Sequence, residues 1–178
     1  MHQENRGLGF LLVCCVCMWA CCESLRPIVM DKSKIVFDDG DTLEYGELTI
    51  RILGIDTPEI AHQQHGLFED QPFGQDAACR TEQIIRAAGR VEYLPSRLDK
   101  YGRTLAHLFV DGELLAIHLL REGLAYETIS FYGDNGFPDL AAEILRAAEA
   151  GPKPAFGPPH EWRKKNRREP AGEARSSQ

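Results

Sequence analysis

The chain has 178 residues and a mass of 20.0 kDa, with 43% hydrophobic and 26% charged residues. This composition suits one compact domain and excludes both a disordered chain and one embedded throughout in a membrane. The 16 glycines and 10 prolines follow no period, which excludes a collagen-like or low-complexity chain. The net charge of −7 is unevenly spread: residues 23–159 hold 13 basic and 23 acidic side chains, whereas residues 160–168 hold five basic and one acidic. An acidic body is a poor non-specific binder of polyanions, because phosphate contacts come from Lys and Arg. It suits a metal site, where a cation neutralises clustered carboxylates.

Cys14, Cys15, Cys17, Cys21 and Cys22 crowd the first 22 residues, inside the uncharged run from Gly7 to Cys22. That run is shorter than the ~20 residues of a comfortable membrane span and resembles the core of an export signal. Three versions stay open: a cleaved signal peptide, a lipoprotein leader with Cys21 after Met18-Trp19-Ala20, or a short retained membrane anchor. A start at Met30 would remove the segment altogether. The expected organisation is a leader over 1–22, a linker over 23–33, a folded domain over 34–151, and a Pro-rich then basic tail over 152–178. The protein is expected to be exported (secreted, periplasmic or held at the cell envelope) and monomeric. Cys79 has no partner beyond Cys21 or Cys22, so stability must come from core packing, with whatever help a bound metal adds, rather than from an internal disulfide.

Lys34 to Phe37 predicts a brief strand running into the acidic turn Asp38-Asp39-Gly40-Asp41. Thr42 to Tyr45, Gly46, and Leu48 to Gly54 predict a hairpin. In its second arm Leu48, Ile50 and Ile52 alternate with Thr49, Arg51 and Leu53, which places Arg51 on the face opposite Ile50 and Ile52. Thr57-Pro58-Glu59 ends that strand, and Ile60 to Gln71 reads as a polar loop. Phe73, Ala77, Thr81, Ile84, Ile85 and Ala88 recur at spacings of three and four, predicting a helix from about Pro72 to Ala88 that Gly89 stops. Two more strands, Arg90 to Ser96 and Thr104 to Val110, are joined by Arg97 to Arg103. Asp111-Gly112 then turns the chain into a short strand, Glu113 to Leu115. Helices follow over Ala116 to Glu122 and about Pro138 to Ala150, the second with Leu140, Ile144, Leu145 and Ala148 on one face. Gly151 to Pro159, with four prolines, ends regular structure. Strands first, mostly paired by hairpins, with helices inserted or appended, predict an α+β fold that is mainly β: a five-stranded antiparallel OB-fold barrel with about three helices.

Asp41, Asp56 and Glu59 lie at the ends of the first strands, within 19 residues. Taken singly, each reads as ordinary turn chemistry. Carboxylates repel one another and raise each other's pKa, so three of them converging requires a reason. Arg51, five residues before Asp56, and Arg103, at the start of a later strand, supply one. Three acids and two arginines at strand ends describe a hard-cation site beside a phosphate clamp.

Asp39-Gly40-Asp41-Thr42, the run R-I-L-G-I-D-T-P-E from Arg51 to Glu59, and Asp99-Lys100-Tyr101-Gly102-Arg103 resemble the three motifs of the thermonuclease (staphylococcal nuclease-like) family, in order and in approximate spacing. The similarity runs from about Ile35 to Ala150, and Arg121 to Ala125 resembles the family's helix end after the fifth strand. The resemblance implies a Ca2+-dependent nuclease that hydrolyses DNA or RNA with little sequence preference, leaving 3′-phosphate and 5′-hydroxyl ends. Carried over by position, it makes Asp41 and Asp56 carboxylate ligands of Ca2+, with the Thr57 carbonyl as a further ligand. Glu59 matches the residue that activates the attacking water, and Arg51 and Arg103 match the arginines that bind the scissile phosphate. Tyr126, Phe131 and Tyr132 fall in the region of the family's nucleotide-stacking tyrosines, and Cys79 matches no catalytic position.

Those roles agree with elementary chemistry. A phosphodiester is an anion, so attack by hydroxide is opposed until positive charge neutralises it, and the water needs a proton acceptor within hydrogen-bond reach. With a pKa above ~12, Arg103 suits electrostatic stabilisation of the leaving oxygen rather than proton donation. His62 and His65 read as surface histidines. The tail Glu161 to Arg168 has two readings: a nucleic-acid or anionic-surface contact with Trp162 stacking, or a solubilising end with Trp162 packed back on the barrel. The competing function class is a catalytically silent OB module that binds single strands, and a surface adhesin is a third. The presence of Asp41, Arg51, Asp56, Glu59 and Arg103 together favours the enzyme.

Overall fold

A computed structural model describes residues 26–167. The proposed leader over 1–22 and the last part of the tail, 168–178, lie outside the described residues. The strands are β1 (Ile28–Val29), β2 (Ile35–Phe37), β3 (Thr42–Tyr45), β4 (Leu48–Ile52), β5 (Ile55–Asp56), β6 (Val91–Leu98), β7 (Thr104–Val110), β8 (Glu113–Leu114) and β9 (Tyr126–Glu127). The helices are α1 (Gly74–Ala87), α2 (Leu115–Arg121), α3 (Ile129–Tyr132), α4 (Pro138–Ala150) and α5 (Pro159–Asn166).

The main sheet runs β1-β6-β7-β4-β3-β2, with β8 attached to β7, and β5 and β9 form a separate two-stranded ribbon. This curled sheet with helices packed on it is the α+β, OB-type plan that the strand order implied. It differs in two respects from a five-stranded antiparallel barrel. Short added segments raise the strand number, and β4 pairs with β7 in parallel, Ile50 beside Thr104 and Ile52 beside Ala106. The parallel pair has a topological cause. Helix α1 and strand β6 intervene between β4 and β7, so the chain returns by a crossover and not by a hairpin.

The hairpin phase is as the alternation requires: Ile50 and Ile52 are buried, and Arg51 between them faces the other way. Leu43, Ile50, Ile52, Ile55, Leu108 and Leu114 fill the sheet side of the core, each burial contributing roughly 1.5–3 kcal/mol. Helix α2 is apolar nearly all round, with Leu115, Ala116, Ile117, Leu119 and Leu120 buried, because it lies between β7, α1 and α4. On α4 the inward face is Ala141, Ile144 and Ala147, and Leu145 is exposed, so the expected face is rotated. Small alanines there let α4 approach α2 closely.

The folded unit extends further at both ends than composition suggests. Ile28 and Val29 pair with Tyr93 and Glu92, and the buried Met30 donates its N–H to the Val91 carbonyl at 2.9 Å. At the other end, Pro159 opens α5 at its first helical turn, where a missing N–H costs nothing. The prolines that end regular structure after α4 therefore also start the next helix.

Candidate metal and phosphate site

The β3–β4 register sets Arg51 opposite Thr42, beside Asp41. After Ile52 the chain turns into β5, where Asp56 pairs with Tyr126 of β9. These two pairings bring an arginine between two carboxylates. Asp41 is fully buried, and its Oδ1 meets the Arg51 guanidinium and accepts from the Thr42 hydroxyl at 3.2 Å. Its Oδ2 accepts from the Thr57 N–H at 2.7 Å, and Arg51 Nη2 donates to Asp56 Oδ1 at 2.6 Å. Gly40 is required by the approach of Thr57: a Cβ there would lie 2.8 Å from Thr57 Oγ1. Helix α1 braces the same turn, with the buried Thr81 hydroxyl donating to the Gly40 carbonyl at 2.7 Å.

Glu59 is held by its backbone. Its N–H donates to Gln71 Oε1 at 3.2 Å, and the Gln71 N–H donates to the Glu59 carbonyl at 2.8 Å. A Cβ at Gly74, the first residue of α1, would come within 2.3 Å of that carbonyl oxygen, so the helix start packs directly beneath Glu59. The Glu59 carboxylate is nearly buried and contacts Arg163 of α5. Arg163 also donates to both oxygens of Asp56, at 3.1 Å each.

Asp39, Asp41, Asp56 and Glu59 set four carboxylates against the guanidinium groups of Arg51 and Arg163. Two negative charges remain, the complement of one divalent cation. Burial pushes Asp39 and Glu59 up from the usual carboxylate range, against the pull of Arg51 on the first and Arg163 on the second. Burial acts on Asp56 in the same direction, but Arg51 and Arg163 together outweigh it and hold Asp56 below the ordinary value. The donor set fits a hard cation, being oxygen only. Asp41 and Asp56 each accept three contacts, which leaves about one of their roughly four lone-pair sites open. Thr57 Oγ1 is buried, with no hydrogen-bond partner among the described residues.

The structure thus brings Asp41, Arg51, Asp56, Thr57 and Glu59 together, whereas the Arg103 side chain bonds to Asp99 and to none of them. Arg103 Nε donates to Asp99 Oδ2 at 2.8 Å, while Asp99 Oδ1 accepts the N–H groups of Tyr101 and Arg103. Its guanidinium lies 5.7 Å from the centre of the exposed Tyr101 ring. In the sheet it stands two residues before Leu105, the register partner of Arg51.

The aromatic candidates separate in the same way. Tyr126 is tied by its hydroxyl to the Phe156 carbonyl at 2.5 Å, whereas Phe131 and Tyr132 are about three-quarters exposed. Trp162 is half-buried with its indole N–H enclosed, so this residue packs back on the domain. His62 is not simply on the surface: it lies 3.5 Å from Asp38, and ligand atoms of Asp38, Asp39 and His62 fall within 4.8 Å of one another. Arg163 is the site residue that motif reading missed. The basic run containing it was visible, but nothing in its spacing pointed one arginine inward.

The family model described as "Staphylococcal nuclease homologue" matches residues 49–153, more than half of the chain. The chain belongs to this family. The match takes in Arg51, Asp56, Thr57, Glu59 and Arg103, and leaves Asp41 before it and α5 after it. Similar family members include the SPbeta prophage-derived endonuclease YokF of Bacillus subtilis (strain 168), 40% identical over 109 residues, which cover 58% of this chain and 34% of the relative. Endonuclease YncB of the same organism is 38% identical over 109 residues, covering 58% and 48%. Thermonuclease of Staphylococcus intermedius is 34% identical over 109 residues, covering 60% and 59%. The aligned part of the chain thus spans between about a third and three-fifths of the length of these relatives. Among the described residues no helix is long and apolar enough to cross a membrane.

Proposed function

We propose that the protein is an exported, monomeric, Ca2+-dependent nuclease that hydrolyses phosphodiester bonds of DNA or RNA and leaves 3′-phosphate and 5′-hydroxyl ends. The observation that carries this reading is the convergence of Asp41, Arg51, Asp56 and Glu59 at the ends of β3, β4 and β5, where, with Asp39 and Arg163 counted, the acids outnumber the arginines by two. The names of its relatives, endonuclease and thermonuclease, support the reaction class. Export rests on the uncharged, cysteine-rich leader.

Asp41, Asp56 and the Thr57 carbonyl would hold the cation. Bound there, Ca2+ supplies Lewis-acid polarisation of a phosphoryl oxygen and neutralises developing charge. Arg51, with five N–H donors and two carboxylates to meet, retains donors for an equatorial phosphate oxygen. Glu59 offers the carboxylate oxygen Oε2, which meets no donor among the described residues, as acceptor for the proton of the attacking water. Arg103 is held by one local carboxylate at a partly exposed position, from which it swings to the leaving oxygen. Phe131 and Tyr132 present faces on which bases stack.

The test is digestion of denatured DNA by the full chain, with Ca2+ and with a calcium chelator, beside an identically purified Glu59→Gln protein. Cleavage that needs Ca2+ and collapses in the variant is expected. Equal cleavage by both proteins would remove Glu59 from the reaction. Strand binding without any cleavage would turn the reading to the silent OB module.

A further inference from the structure

Helix α5 begins beyond the segment matched to the family, yet its Arg163 reaches the acid cluster. We infer that Arg163 is a positioning residue for Glu59: it fixes the carboxylate that accepts the proton, and α5 belongs to the catalytic apparatus. This rests on the proposed nuclease reading and extends it to a residue outside the recognised motifs.

Removal of Arg163 would affect the three acids unequally. Asp41 is held by Arg51, Thr42 and the Thr57 N–H, and involves Arg163 not at all. Asp56 would keep its contact with Arg51 at 2.6 Å. Glu59 would keep nothing, because Arg163 is its only side-chain partner among the described residues. A nearly buried carboxylate without a donor is costly, and its χ angles would be free to turn it away from the site. Arg163 takes Oε1 and leaves Oε2 free, so it fixes orientation without closing the acceptor.

The backbone is arranged for the same purpose. The buried Gln71 accepts from the Glu59 N–H and donates through Nε2 to the Gly157 carbonyl at 2.6 Å, just before α5. Phe156, next to Gly157, is buried against Phe73 and Tyr126, with ring centres 5.8 and 5.5 Å apart. A closed ring therefore runs from the Glu59 backbone through Gln71 and Gly157 into α5, then back through Arg163 to the Glu59 carboxylate. An arginine whose only use was to offset the acidic body would need no such ring. Positions 164, 165 and 167 carry the charge of this run with no acid partner among the described residues.

Full chains carrying Arg163→Met, Arg163→Lys and Glu59→Gln, together with the parent, test this. Cleavage of a denatured oligonucleotide gives kcat and KM, and calorimetry gives Ca2+ affinity independently of activity. We expect Arg163→Met to lower kcat by about 10- to 100-fold, with KM and Ca2+ affinity within about threefold of the parent. Arg163→Lys should recover part of that loss, and methylguanidine added to Arg163→Met should recover part as well. The lysine variant keeps the test open if the methionine variant does not fold. Parental kcat in either folded variant would overturn the inference. So would a Ca2+ affinity altered in proportion to the lost activity, which would assign Arg163 to the cation instead. A parent without cleavage would sink the nuclease reading itself, a separate outcome.

Discussion

Two arginines that the sequence motifs place in one role live in opposite surroundings. Arg51 sits on a central strand, largely buried, with a carboxylate on either side of its guanidinium. Arg103 sits at the lip of β7, a third exposed, with one carboxylate four residues away in the same loop. Burial makes the Arg51 pairings mandatory, because an isolated charge there would be stranded in low dielectric. Exposure makes the Arg103 pairing cheap to break, since solvent replaces what Asp99 provides. The fold itself fixes one arginine, and the other is held loosely enough to move to a ligand.

The largest expected effect tests the floor on which this contrast rests. Glu59→Gln should lose about 10²- to 10⁴-fold in cleavage rate, the range for removing a positioned proton acceptor, with far-ultraviolet circular dichroism unchanged. Arg51→Met should be nearly as inactive and should also lose roughly 3–5 kcal/mol of stability in a metal-free denaturant titration, since it leaves Asp41 fully buried without its cationic partner. Arg103→Ala separates the two arginines. Cleavage should fall by about 10²-fold, while stability stays within roughly 0.5 kcal/mol of the parent. A loss of stability as large as that of Arg51→Met would erase the distinction.

An effect on stability alone sharpens the comparison with a group that has no hydrogen-bond partner among the described residues. His107 is fully buried on β7, edge-on to Phe137, and neither ring nitrogen has a hydrogen-bond partner among the described residues. Burial pushes its pKa down to about 4, so the folded protein keeps it neutral where the unfolded chain, at ~6.5, takes up a proton. Stability should therefore fall as the pH drops from about 6.5 to about 4, by roughly 3 kcal/mol in total, and change no further from this group below that. His107→Leu should flatten that part of the profile and gain about 1 kcal/mol at pH 7. Denaturant titrations at pH 7 and pH 5 would show whether the difference between the two proteins grows on the acid side.

Much of this was legible because period and motif are local. The alternation around Arg51 marks the strand and its phase, and two short motifs mark Asp41, Asp56, Thr57 and Glu59, which the fold brings together. What was not legible depends on the return of distant chain. The parallel pairing of β4 with β7 follows from a crossover that no residue near β4 announces. The two-residue strands β5 and β9 are too short to show a period, yet their pairing fixes Asp56. Arg163 lies 104 residues from Glu59, in a run whose composition reads as a solvated end. Prolines at 158 and 159 looked like a terminus and serve as a helix start.

The proposed chemistry depends first on the cation. Calorimetric titration of Ca2+ into the full chain, beside Asp41→Asn, measures it without reference to catalysis. One saturable site in the parent, lost in the folded variant, is the predicted result. Equal binding by both proteins, or no binding to the parent, would contradict the claim that the buried acids beneath Arg51 form the metal centre.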